Sequence, residues 1–221
     1  AFVNDGQGGF ERRLDLLPAH QVGVFQLFLD LDGDAVEELV STEVVSCDSG
    51  HAELGLYTRN EAGGFVRRSA ALRFARRCEG AEKIEFQHLT PVDVNGDGLM
   101  DIFASGFSHR GAKGQRHNRF HSDQGEPNRL FINQGGLVFA EEANARGLGG
   151  KAFTYASTFF DYEGDGDVDL YVVNDYGPNQ LFLNDGNGRF QRGGGPLEEN
   201  GQSMGVTVSD FDGDGDLDVY V

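Results

Sequence analysis

The chain of 221 residues contains no tryptophan and only two cysteines, Cys47 and Cys78. Two cysteines are too few for a disulfide-dense scaffold, and they lack the spacing of a zinc site. No apolar run approaches the ~18 residues needed to cross a bilayer, and no basic segment followed by an apolar one marks a leader. Positive charge is also scarce. Eighteen basic side chains stand against 36 acidic ones, a net charge of −18, which argues against nucleic acid or an anionic membrane surface as the main partner. Helical periodicity is nowhere sustained, and the short stretch from Ala70 to Ala75 is the best helix candidate. Catalytic signatures are missing too: there is no Gly-x-Ser-x-Gly elbow, no His-Glu-x-x-His and no phosphate-cradling Gly-Lys-Ser/Thr loop. Close carboxylate pairs of the kind a glycosidase needs do occur, but all of them fall within the acidic loops described below. The chain itself therefore reads as a non-enzyme.

Glycine, by contrast, is abundant. Its 33 copies are roughly twice the usual share, and they follow no three-residue period, which excludes collagen. They cluster beside Asp and Asn, the chemistry of tight turns. Eighteen phenylalanines and a hydrophobic fraction of 38% supply a packed interior. The acidic groups crowded into the turns repel one another unless a cation sits among them.

Those turns repeat. DLDGDAVEEL begins at Asp30, DVNGDGLMDI at Asp93, DYEGDGDVDL at Asp161 and DFDGDGDLDV at Asp210, in steps of 63, 68 and 49 residues. A second motif alternates with the first: FVNDGQGGF from Phe2, YTRNEAGGF from Tyr57, FINQGGLVF from Phe131 and FLNDGNGRF from Phe182. Short runs rich in β-branched and aromatic residues flank each acidic loop and read as strands. They begin near Val22, Lys83, Phe153 and Gly205 before the loops, and near Leu39, Ile102, Leu170 and Leu217 after them. Each unit thus reads strand, acidic loop, strand, connection, strand, Asn-Gly turn, strand.

Four antiparallel strands at this spacing make one blade of a β-propeller. The expected fold is all-β, with about three full blades and partial blades at both ends. The expected divisions are 1–20 for the end of a preceding blade, then blades at 21–82, 83–150 and 151–202, and the start of another at 203–221. A closed ring needs at least four blades, so the remainder is expected from the same longer chain or from a second chain.

The acidic loops suit a hard cation. Ca²⁺ takes six to eight oxygens at about 2.3–2.6 Å, and alternate residues of a tight loop can aim several oxygens at one centre. The expected ligands are Asp93, Asn95, Asp97 and Asp101 with the carbonyl of Leu99; Asp161, Glu163, Asp165 and Asp169 with that of Asp167; and Asp210, Asp212, Asp214 and Asp218 with that of Asp216. In the first loop Asp30, Asp32, Asp34 and Glu38 keep the oxygens, with the carbonyl of Val36, but Ala35 takes the place of the glycine at position six. That position often needs a conformation costly to any residue with a Cβ, so this loop is expected to bind most weakly. Up to four Ca²⁺ ions are expected. An EF-hand would need a bidentate Glu at position twelve and a helix on each side; position twelve here is Ser41, Ala104, Val172 and Val221.

With these motifs in view, the chain resembles the FG-GAP/VCBS repeats of integrin α-subunit propellers. The closer resemblance is to bacterial VCBS and ASPIC/UnbV (cartilage-acidic-protein-like) proteins. PNRLFINQGGLVFAEEANARGL and MGVTVSDFDGDGDLDVYV carry most of it. The resemblance implies a seven- or eight-bladed propeller, secreted or surface-displayed, that serves adhesion or recognition of a protein or glycan. Ala35, Glu163 and the long segment after Ile102 depart from the pattern. An alternative function is an accessory propeller domain of a secreted carbohydrate-active or lipid-cleaving enzyme. An extracellular, cell-surface or periplasmic location follows from the calcium requirement, since submicromolar cytosolic calcium would leave such sites empty.

In propellers of this kind the connections between a blade's second and third strands, and between blades, lie opposite the metal loops. The segment from Phe107 to Asn128 is such a connection. It carries Arg110, Lys113, Arg116 and Arg119 with His109, His117 and His121, a cationic stretch on an acidic protein that could dock an acidic partner or an anionic glycan. Cys47 and Cys78 fall on the same face. They are candidates for a disulfide in an oxidising compartment, two separate thiols being the alternative.

Overall fold

The computed structural model describes residues 2–13, 15–16, 23–47, 50–76, 83–110 and 125–221. Every regular element among them is a strand, and no helix is long and apolar enough to cross a membrane. A hairpin of β1 (Phe2–Asn4) and β2 (Phe10–Arg12) comes first. The first full sheet contains β3 (Gln26–Leu29), β4 (Glu38–Cys47), β5 (His51–Arg59), β6 (Phe65–Arg67) and β7 (Leu72–Ala75). The second runs β8 (Lys83–Val92), β9 (Asp101–Arg110), β10 (Arg129–Asn133) and β11 (Phe139–Glu141). The third is built from β12 (Thr154–Phe160), β13 (Asp169–Asn174), β15 (Gln180–Asn184) and β16 (Phe190–Arg192). Between them β14 (Gly177–Pro178) pairs with β17 (Asn200–Gly201), and a last hairpin joins β18 (Thr207–Ser209) to β19 (Asp218–Tyr220). All these pairings are antiparallel, and the meandering four-stranded sheets are propeller blades.

The sheets stack face to face, which explains why their middle strands lack polar alternation. A strand covered on both faces reads as an almost continuous apolar run. β10 (RLFIN) and β13 (DLYVVN) are buried at every residue. Successive side chains point to opposite faces, so each strand feeds two cores. Ile102, Ala104 and Phe131 pack toward the first sheet, against Leu54, Leu56 and Phe74. Their neighbours Phe103, Leu130 and Ile132 pack toward the third, against Leu170, Val172 and Phe190. Tyr171, Val173 and Leu181 then meet Val206, Val208 and Val219 of the last hairpin. The rings meet edge to face, with centroids 5.7 Å apart for Phe74–Phe86 and 6.0 Å for Phe103–Phe159, an arrangement that aromatic quadrupoles favour.

The helix candidate at 70–75 is a strand instead. Ala70 takes a left-handed turn (φ 62°), after which β7 pairs with β5, Leu72 opposite Leu54 and Phe74 opposite Ala52. Leu72 and Phe74 are buried while Arg73 and Ala75 are exposed, a two-residue period that burial in a sheet selects. The outer edge of this blade is therefore divided between β6 and β7.

Candidate metal centre

Each acidic loop spans the turn between the first two strands of a sheet, and its ninth residue opens the second strand: Glu38 opens β4, Asp101 β9, Asp169 β13 and Asp218 β19. The first carboxylate of every loop gathers backbone N–H groups. Asp161 Oδ1 accepts from Gly164 (2.7 Å) and Asp165 (3.1 Å), and its Oδ2 from Gly166 (2.9 Å). Asp30 and Asp210 do the same with Gly33, Asp34 and Ala35 and with Gly213, Asp214 and Gly215. Asp93 accepts from Asp97 and Gly98. The fifth carboxylate accepts the N–H of position seven in all four loops, for instance Asp97 Oδ1 from Leu99 at 2.9 Å. These bonds coil the backbone tightly. Position six accordingly has positive φ: 83° at Gly98, 95° at Gly166, 98° at Gly215, and 66° at Ala35, which bears a Cβ there.

The coil brings carboxylates from separate positions together. One oxygen each from Asp30, Asp32 and Glu38, and one each from Asp210, Asp212 and Asp218, lie within 4.8 Å of one another. Oxygens about 2.4 Å from a shared ion stand at most ~5 Å apart, so this convergence fits Ca²⁺ coordination. In the second loop the Asn95 amide faces Asp97 Oδ2 at 2.9 Å, a neutral partner where the other loops have a third acid. In the third loop, desolvation and the neighbouring Asp165, Asp169 and Asp161 push the Glu163 carboxyl above its ordinary range. Like charges held this close favour a proton or a cation between them.

In the first three loops the ninth carboxylate behaves differently from the others because it is buried. Glu38, Asp101 and Asp169 are at most 3% exposed. Asp101 Oδ2 accepts from the Val94 N–H (3.2 Å) and its Oδ1 from the Asn133 N–H (2.8 Å). Asp169 is bound in the same way by Tyr162 and Asn184, both at 2.8 Å. Glu38 accepts from Leu31 at 2.9 Å, and Asp218 from Phe211 at 2.8 Å. Burial pushes Asp101 up to about 6, against the lowering effect of its two backbone donors, with Asp97 and Asp93 adding to the rise. Glu38 and Asp169 are raised by the same cause. Position nine is thus a strand clip as well as a candidate ligand.

Two residues of the site stand in the sequence only as members of the alternating turn motif. Asn133 donates through Nδ2 to the carbonyls of Leu31 (2.9 Å) and Met100 (3.1 Å), reaching the acidic loop of the preceding sheet as well as its own. Asn184 repeats this one sheet later, to Val94 and Val168, both at 3.0 Å. The third residue of the alternating motif carried the signal: it is Asn4, Asn133 and Asn184 in three copies and Arg59 in the fourth. Arg59 instead lies over the Phe65 ring at 4.9 Å.

The other expected sites are only partly in view. His109 and Arg110 close β9, at the end far from the acidic loop, where Arg110 pairs with Lys83. Lys113, Arg116, His117, Arg119 and His121 lie outside the described residues. Cys47 closes β4, and Cys78 lies outside the described residues.

Comparison with known proteins agrees with this geometry. No curated protein matches the chain. The model of the FG-GAP-like repeat family matches residues 93–172 and again 161–221, each stretch running from one acidic loop into or through the next. Neither stretch includes the loop at Asp30, where Ala35, Glu38 and Arg59 depart from the other blades. The matches together run from 93 to 221, more than half of its length, and the chain belongs to the FG-GAP-like repeat family.

Proposed function

We propose that the chain is a calcium-stabilised recognition scaffold that works outside the cytosol. Repeats of this family are typical of extracellular adhesion and recognition propellers. The observation that carries the calcium reading is the convergence of carboxylates from positions one, three and nine on loops whose backbones are already coiled. Without a cation, the mutual repulsion of these groups opposes folding. Asp30, Asp32, Asp34 and Glu38, and their counterparts in the later loops, would hold the ion, which supplies positive charge that neutralises the turn. With a dissociation constant near ~10⁻⁴ M and free calcium near ~1 mM, each occupied loop adds roughly 1.4 kcal/mol of stability. Several loops together rival the marginal stability of an ordinary domain.

The partner is a protein or a glycan, and the end of the blades opposite the acidic loops is where it docks. Arg110 at the end of β9, with Lys113, Arg116 and Arg119 after it in the sequence, brings positive charge to a chain of net charge −18, a local reversal of sign suited to an anionic ligand.

Thermal unfolding in about 2 mM calcium against EDTA, with calorimetric titration of the stripped protein, tests the metal reading. The expected result is a large fall in melting temperature in EDTA and binding of about four ions, the loop at Asp30 weakest. An unchanged melting temperature with no heat of binding would overturn it.

A further inference from the structure

The bonds around positions two and nine form one continuous path through three sheets. Glu38 accepts the Leu31 N–H, and the Leu31 carbonyl accepts Asn133 Nδ2. The Asn133 N–H donates to Asp101, whose second oxygen accepts the Val94 N–H. The Val94 carbonyl accepts Asn184 Nδ2, and the Asn184 N–H donates to Asp169, which also accepts the Tyr162 N–H. Leu31, Val94, Asn133, Asn184, Asp101 and Asp169 are all buried, so water does not compete for these groups and each bond is costly to leave unmade. Asparagine suits the junction because its amide offers two diverging hydrogens. One binds the loop of its own sheet, and the other binds the loop of the sheet before.

We propose that Asn133 and Asn184 are positioning residues that couple neighbouring acidic loops, so that filling one loop tightens calcium binding in the next. The proposal rests on the calcium reading above. Asp101, once it serves as a ligand, is fixed relative to Val94, and the Val94 carbonyl in turn fixes the Asn184 amide. The main chain of Asn184 then holds Asp169 where its own loop needs it. Ordering spent on one loop is not spent again on its neighbour, which gives positive coupling. At the matching place in the first blade stands Arg59, whose guanidinium lies over the Phe65 ring.

Loop-resolved calcium titration by amide NMR tests this. The N–H groups of Gly98, Gly166 and Gly215 each donate to the first carboxylate of a different loop, so each reports its own site. Asp97→Ala disables the second loop. The expected result is that calcium affinity at Gly166 then falls about fivefold or more, in the usual range of coupling between sites. In the Asn184→Ala background the same substitution is expected to change it less than about twofold. A purely structural Asn184 would lower the melting temperature and leave this difference between backgrounds at zero. Should Asn184→Ala fail to fold, Asn133→Ala is read at the first loop through the Ala35 amide, which donates to Asp30. Gly166 affinity indifferent to Asp97→Ala would overturn the coupling and leave the calcium reading intact. Glycine signals that ignore calcium altogether would overturn both.

Discussion

The first acidic loop and the second differ at three places that the structure ties together. Position six is Ala35 in one and Gly98 in the other, position nine is Glu38 against Asp101, and the third residue of the alternating motif is Arg59 against Asn133. The backbone nevertheless follows the same course in both, with φ of 66° at Ala35 and 83° at Gly98. The coil is therefore imposed by hydrogen bonds from backbone N–H groups to the first and fifth carboxylates, which both loops retain. What the first loop lacks is the second anchor. Asp101 holds two buried N–H groups, one in its own loop and one on β10, whereas among the described residues Glu38, one methylene longer, holds only that of Leu31. Glycine at position six lowers the cost of the coil, and aspartate at nine with asparagine across from it fastens the coil to the rest of the protein.

The largest effect should come from removing that second anchor. Asp101→Ala leaves the Val94 and Asn133 N–H groups without an acceptor, at about 1–3 kcal/mol for each buried donor. Chemical denaturation in calcium is expected to show a loss of about 3 kcal/mol or more, and Glu38→Ala roughly half as much. Equal losses would mean that the Asn133 bond adds nothing.

The next effect is a pH dependence that calcium should weaken. The folded Asp101 is raised from 3.8 to about 6 by burial, so the folded state favours its protonated form. In EDTA that contribution is fully present below about pH 4 and is lost as pH rises through about 6, a change of up to about 3 kcal/mol. Urea midpoints measured from pH 4 to 7 for the wild type minus Asp101→Asn isolate this term. The difference should shrink when calcium is added, because a cation stabilises the ionised form.

The strands and loops were legible in the sequence because blade packing imposes local signals. A middle strand buried on both faces has to read as an apolar run, as Leu130 to Ile132 and Leu170 to Val173 do, and a coil around a carboxylate has to read as alternating acids with glycine. The left-handed conformation expected at position six is found at Ala35 as well as at the glycines. The Asn133 and Asn184 bridges were not legible, since their partners Leu31 and Val94 are 102 and 90 residues away, and a local motif reveals only the turn. Residues 70–75 read as a helix candidate for a related reason. Ala71, Leu72 and Phe74 owe their burial to β5 and to the second sheet, contacts that a six-residue window does not contain.

The smallest effect sharpens the comparison at position six. A left-handed residue with a Cβ costs about 1–2 kcal/mol, and replacing alanine by glycine returns part of that as freedom of the unfolded chain. Ala35→Gly should therefore stabilise the protein by about 0.5–1 kcal/mol and tighten calcium at the first loop. Gly98→Ala should cost about 0.5–1 kcal/mol, the strain of the Cβ less the freedom that the unfolded chain loses. A Cβ built at Gly98 meets nothing within 4 Å, so crowding adds nothing to the backbone term and the two substitutions should be near mirror images. A much larger loss for Gly98→Ala, read from paired urea midpoints, would mean that the second loop resists the alanine for a reason beyond φ. The anchor at Asp101 and Asn133 supplies one, since a loop fastened at both ends has less room to relax around a strained residue than the loop at Glu38.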